Sequence, residues 1–250
     1  MMKKPIIILF TLLFVVIYLA CQNDVNKTEP PARVILVPKT SESDTLEKGV
    51  DAVFNSANPL INNIIVEWYS NSEKTLAGYT IYRSESPDKN YVSVGKMTKN
   101  FNIIDTSFTD VEISLNKRYY YFVRAFDELD QFGDPSDTVN YSIRESPELY
   151  EPVGTITNRK PFFSWKFDQN FIPDIFIFRL IRMNANGVYK NFYTQETSIG
   201  DEYTPYQSRD LTKLTPYSSL APGRYRWRID PIGSEQFQGS ESVWMDFTVQ

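Results

Sequence analysis

The chain holds a single cysteine and no histidine among its 250 residues. Those two counts remove most of the side-chain chemistry available near neutral pH. Without an imidazole there is no Ser-His-Asp or Cys-His nucleophile, no histidine-bound zinc and no histidine-ligated haem. With one thiol, neither an intramolecular disulfide nor a thiolate cluster can form. What remains is carboxylates, Lys, Tyr and Ser. Asp168, Asp174, Asp201 and Glu202 are too dispersed to nominate as an acid/base pair of the glycosidase kind, and they read as solvated turns. The densest acidic run, "AFDELDQFGDPSD", carries Asp127, Glu128, Asp130, Asp134 and Asp137. Calcium takes roughly six to eight oxygen ligands, and such a loop could supply several. The spacing fits no EF-hand loop, however, and turn-forming Asp and Gly account for it. The expectation is therefore no catalytic residue, no metal site and no cofactor.

Cys21 stands where the apolar leader "MMKKPIIILFTLLFVVIYLACQND" turns polar. Lys3 and Lys4 form a positive start, and the 16 residues Pro5 to Ala20 are apolar. A membrane-spanning helix needs ~20 apolar residues, so this run suits a signal-peptide core better than a span. The residues Tyr18, Leu19 and Ala20 before Cys21 resemble the lipobox of bacterial lipoprotein signal peptides, in which a small residue precedes the Cys. Tyr18 departs from the pattern, which prefers Leu there; an uncleaved anchor and an ordinary secretory signal are the alternatives. The resemblance implies that the Cys21 thiol carries a diacylglycerol, that the peptide is cut before it, and that the new amine is acylated. Two or three acyl chains anchor firmly where one does not. On that reading 1–20 is a signal peptide and 21–31 a flexible tether. The protein would then be lipid-anchored in the cell envelope, at the outer membrane of a Gram-negative bacterium, with its folded part in the periplasm or at the cell surface.

The elements behind these residues are strands. No helical periodicity of any length occurs after the leader. Short β-branched and aromatic runs alternate with turn residues, the pattern of an all-β sandwich or barrel. In the first half they fall at 32–37, 63–68, 78–83, 91–97, 107–110, 118–126 and 138–143. Seven short strands in so few residues fit an immunoglobulin-like sandwich. In the sixth, Tyr119, Tyr121, Val123 and Ala125 point one way, and Tyr120, Phe122 and Arg124 the other.

The series "IIVEW", "AGYTIYRS", "DTSFTD", "RYYYFVRAFDE" and "PSDT" resembles a bacterial fibronectin type III domain. The resemblance implies that Trp68 is the buried tryptophan of strand B and that Tyr119 is the tyrosine-corner residue, bonded to backbone. Tyr121 then occupies the place where immunoglobulin domains put their second bridging Cys. "PFFSWKF" with Trp165, "DIFIFRLIRM", "GVYKNFY", "LAPGRYRWRIDPIG" and "SVWMDFTV" repeat the plan more loosely. Pro222 and Gly223 make a turn, Tyr225 is the second corner candidate, and Trp227 and Ile229 face inward. The path of 194–219 is open. The expected fold is thus two tandem immunoglobulin-like or fibronectin type III sandwiches, 32–144 and 153–250. A short proline-containing linker, 145–152, would set them semi-rigidly end to end.

Charge narrows the partners. The formal net charge is −5, with 13 basic and 19 acidic residues over 21–146 and 11 and 12 over 147–250. Neither half carries the positive field that nucleic acid demands. The expected partners are a membrane, through the lipid anchor, and an unknown envelope protein or glycan. The first reading is a non-catalytic protein presenting its sandwiches for protein–protein interaction, adhesion or assembly. The alternative is a carbohydrate-binding accessory lipoprotein that captures glycans through surface aromatics such as Tyr120, Phe122, Tyr203, Tyr206 and Tyr217. Against that alternative stands strand propensity, which alone explains scattered Tyr.

Overall fold

The computed structural model describes residues 29–37, 50–53, 62–101, 103–200 and 204–250. Cys21, the leader and most of the tether lie outside them. Residues Pro31–Gln250 form one compact unit holding two hydrophobic cores.

The first core sits between two antiparallel sheets. One has the order β1 (Val50–Val53), β2 (Asn63–Glu67), β5 (Ser107–Asp110). The other runs β4 (Val92–Thr98), β3 (Leu76–Ser84), β6 (Arg118–Asp127), β7 (Val139–Ile143). This is a sandwich of the fibronectin type III kind. The alternation in β6 sorts its residues as the pleat requires: Tyr119, Tyr121, Val123 and Ala125 are buried, and Tyr120, Phe122 and Arg124 are half-buried. Trp68 closes the core edge-on to Tyr79, with ring centroids 5.3 Å apart. Gly78 is required by close approach, since a Cβ there would lie 2.1 Å from the Met97 carbonyl oxygen of the neighbouring strand. The expected strand at 32–37 is reduced to an isolated bridge, Leu36 to Trp68. β1, whose sequence "VDAV" is too short to stand out, was not foreseen.

The second half repeats the plan. β8 (Glu148–Glu151), β10 (Phe162–Lys166) and β13 (Tyr206–Asp210) make one sheet. β12 (Tyr189–Ser198), β11 (Ile175–Met183), β14 (Gly223–Ile232) and β16 (Met245–Val249) make the other, with β9 (Gly154–Ile156) parallel to β16. The uncertain stretch 194–219 resolves into the end of β12, then β13, then a single helical turn, α1 (Leu211–Leu214). Asp210 caps α1 by accepting from the Thr212 and Lys213 amides at 2.9 and 3.1 Å. Leu211 and Leu214 drop into the core beneath. Trp165, Trp227, Phe163, Phe176 and Phe178 fill that core with edge-to-face and tilted ring pairs 5.0–6.5 Å apart.

Two expectations are corrected. Residues 148–151 of the expected linker are strand, paired to β10, so only 144–147 connect the sandwiches without regular structure. The sandwiches are also not joined merely by that connection. β15 (Gln238–Gly239), from the loop after β14, pairs in parallel with β7, so a single ten-stranded sheet runs from β12 through β14, β15 and β7 to β4.

Candidate functional site at the junction

The six core aromatics singled out by sequence divide between the two cores: Trp68, Tyr119 and Tyr121 in the first, Trp165, Tyr225 and Trp227 in the second, none more than 2% exposed. Their polar ends are individually placed. The Tyr119 hydroxyl accepts from the Ser114 amide at 2.8 Å, and the Tyr225 hydroxyl donates to the Ala221 carbonyl at 2.8 Å. Each closes the loop leading into its own strand, as a tyrosine corner does. The Trp227 indole donates to the Pro152 carbonyl at 3.0 Å. Tyr121 donates to Asp110 at 2.8 Å, and Arg83 binds both oxygens of that carboxylate at 2.7 and 2.9 Å. Burial first, and the Asp110 charge second, push the Tyr121 phenol far up, so it stays a neutral donor. A hydrogen-bonded triad thus ties β6 to β5 and β3.

The acidic loop organises itself. One Asp127 oxygen accepts from the Leu129 and Gln131 amides at 2.9 and 2.8 Å, and the other from the Gln131 side chain at 3.0 Å. The Asp168 carboxylate likewise caps its own turn through the Asn170 amide. Asp201, Glu202 and Tyr203 lie outside the described residues. Among the described residues, no group of three His, Cys, Asp or Glu could hold a metal ion. Three of the surface aromatics pair with a neighbouring ring. Phe122 stacks on Tyr82 at 4.8 Å, Tyr206 on Tyr150 at 5.9 Å and Tyr217 on Phe192 at 4.7 Å, while Tyr120 is half-buried.

The densest polar geometry is at the junction, which sequence reading did not single out. The loop 233–237 reaches from the second sandwich onto the first. The Phe237 carbonyl accepts from the Ser142 amide at 2.8 Å, and the Gly239 carbonyl from the Arg144 amide at 2.8 Å. The Glu241 amide donates to the Ala52 carbonyl at 2.7 Å. Arg118 of β6 donates to the Glu235 carboxylate and the Gln236 carbonyl, both at 3.0 Å, and pairs with Asn140. The Phe237 ring packs against the first core.

Behind this latch lies a buried four-charge chain. Arg179 meets Asp230 at 2.9 Å, Asp230 meets Arg228 at 3.0 Å, and Arg228 grips Glu241 through two bonds of 2.5 and 2.7 Å. Two cations face two anions, so the burial is compensated. The Arg228 guanidinium also lies 4.6 Å from the Trp244 ring centroid, and Arg226 lies 3.8 Å from that of Tyr189.

Between latch and chain opens a cavity of about 240 Å³. Tyr141, Asp230, Pro231, Gln238 and Ser240 are its buried floor and walls, whereas Ser234, Glu235 and Gln236 form an exposed lip. The sequence signal for all this is slight. "GSEQFQGSES" has neither alternation nor an apolar run and reads as a plain turn. Within it only the two-residue β15 is strand, pairing with β14 and with β7 of the other sandwich, and Glu241 adds a single bridge to Val53.

No protein-family profile matches the chain, and no curated protein is similar to it. Among solved structures, the crystal structure of the FN1–FN3 domains of chicken CNTN1 aligns over 88% of this chain and 69% of its own, at 15% identity with a TM-score of 0.35. The strand order and the two tyrosine corners of this chain are those of a fibronectin type III-like fold.

Proposed function

We propose that this chain is a non-catalytic, lipid-anchored protein of the cell envelope, whose two sandwiches act as one body that presents binding surfaces to an envelope protein. The observation that carries the reading is the sheet running through both sandwiches: a jointed pair would dissipate orientation, whereas a body closed by β7 and β15 holds its far surfaces in fixed register. The ends of that sheet are β12, ten residues long, and β4, seven residues long. Strand ends of this kind offer ladder groups to an added strand. Cys21, acylated at the outer membrane, fixes the body to the lipid, and the tether gives it reach into the periplasm or the medium. Among the described residues no helix is long and apolar enough to cross a membrane.

The test uses intact cells. Labelled palmitate should enter the wild-type protein and not a Cys21→Ala variant; a wild-type chain that takes up no label ends the anchor reading. Cross-linking should capture one recurring envelope protein with the wild type and lose it with Cys21→Ala. A wild-type chain that captures no recurring protein ends the presentation reading.

A further inference from the structure

The two sandwiches meet at the end of the first where β6 begins, since β15 pairs with Ser142 and Ile143 and Ser142 is registered with Arg118. At the opposite end β6 and β4 finish and β3 starts: Leu76 is registered with Asp127 and Gly78 with Thr98. Past β4 the chain doubles back through two residues, and Asn100 and Ile103 exchange backbone hydrogen bonds of 2.8 and 2.9 Å across them. Turns this tight favour Asn, Asp or Gly where φ is positive. Here Phe101 takes that place, at a φ of 47°, and it is 93% exposed. A bulky ring there strains the backbone and gains no packing in return. Ile103, 70% exposed, stands beside it. Strained residues of this kind cluster at binding sites and ligand clamps.

Three observations say what this tip meets. Leu129, 65% exposed, lies at the same end, in the turn after β6 whose Glu128 amide donates to the Thr75 carbonyl. The chain also enters here. The Ala32 amide donates to Glu73, in the loop before β3, and from there the segment runs inward to the bridge between Leu36 and Trp68. Only ten residues separate Cys21 from Pro31, a reach of at most about 35 Å, so the anchor reading keeps this end beside the lipid. Charge then selects the lipid. The exposed Lys74, Lys96 and Lys99 are matched by the exposed Asp105, Glu128 and Asp130, which leaves apolar contact rather than attraction to anionic headgroups. We propose that the turn carrying Phe101 and Ile103 is a membrane-insertion tip, whose two side chains enter the boundary between headgroups and acyl chains of a zwitterionic bilayer. The proposal rests on the anchor reading for what brings the tip to the lipid. Two side chains bind weakly alone, but a tether makes their insertion intramolecular and raises its effective concentration. A second point of attachment stops the body swinging on its tether and points the junction and second sandwich away from the membrane.

The test takes the full chain with Cys21→Ala, held in phosphatidylcholine vesicles by its own apolar leader, so that no acyl chain contributes. Ile103→Cys is then the only thiol and carries an environment-sensitive fluorophore; Val188→Cys, in the second sandwich and 55% exposed, is the control. Emission from position 103 should shift to the blue and be quenched by spin-labelled lipid, and emission from position 188 should do neither. Phe101→Asn suits the positive φ and removes the ring. The chain should therefore melt no lower, while the ratio of inserted to free label falls about tenfold. Phe101→Trp should preserve insertion. A label at 103 that stays in water, or equal quenching with and without the ring in folded chains, overturns the proposal. So does a photo-reactive group at 103 that captures a protein instead of lipid in intact cells. None of these results touches the anchor, which stands or falls by palmitate uptake at Cys21.

Discussion

Replacing Asp230 with Asn is the sharpest test of how the second sandwich is held. The change keeps size and shape and removes one charge. Arg179 and Asp230 are each 2% exposed and meet at 2.9 Å. The change removes the anion that both Arg179 and Arg228 meet, so the four-charge chain keeps two cations and one anion. Removing one partner of a buried pair costs about 3–5 kcal/mol. With a urea dependence of ~2 kcal/mol per molar, the unfolding midpoint should fall by about 2 M. The assay is urea unfolding followed by tryptophan fluorescence, since three of the four tryptophans belong to this half. The companion variant removes both partners, Arg179→Met with Asp230→Leu. It leaves Arg228 and Glu241 as a balanced pair, so most of the loss should return, because an apolar replacement of a buried pair is often neutral. A loss below ~1 kcal/mol in Asp230→Asn, or a double variant as unstable as the single, would refute the charge-compensation argument.

Two further outcomes follow from the same geometry. Tyr119→Phe and Tyr225→Phe should each cost about 1 kcal/mol, seen as a lowered melting temperature, because each removes one hydrogen bond to a loop backbone. Burial raises the Glu73 carboxyl, but the amide of Ala32, at 2.6 Å, and neighbouring donors outweigh it and hold the group below its ordinary value of 4.5. A carboxylate lowered on folding stabilises above the unfolded value and stops doing so as pH falls through the folded one. The protection of the Ala32 amide, its exchange measured against the unstructured rate at each pH, should therefore fall as the solution is acidified below about pH 4.5, and Glu73→Gln should flatten that dependence.

How legible the fold was depended on whether a strand has one wet face. β6 announced itself through alternation, and the corner tyrosines through their places near the starts of β6 and β14. β5 matched its expected bounds, because "SFTD" sits between clear turn residues. β1 and β15 carry no such signal, since four and two residues are too few to establish a period. The stretch 194–219 concealed β13 because "YQSRD" is polar, and only Gln207 in it is buried. The buried charges Arg179, Arg228, Asp230 and Glu241 could not be paired from sequence, because their partners come from three separate segments. Nor could the cavity be foreseen, as it exists only where the two sandwiches meet.

The pairing of β15 with β7 also governs the order in which the molecule can be completed. Ser142 and Gln238 are 96 residues apart, so the parallel ladder closes only after nearly the whole second sandwich has been synthesised. Until then β7 is an outer strand, with the amides of Ser142 and Arg144 still waiting for Phe237 and Gly239. A nascent or truncated chain ending near residue 146 would therefore carry a strand-seeking edge that the finished protein covers with its own loop. The second sandwich thus serves the first as a cap against self-association.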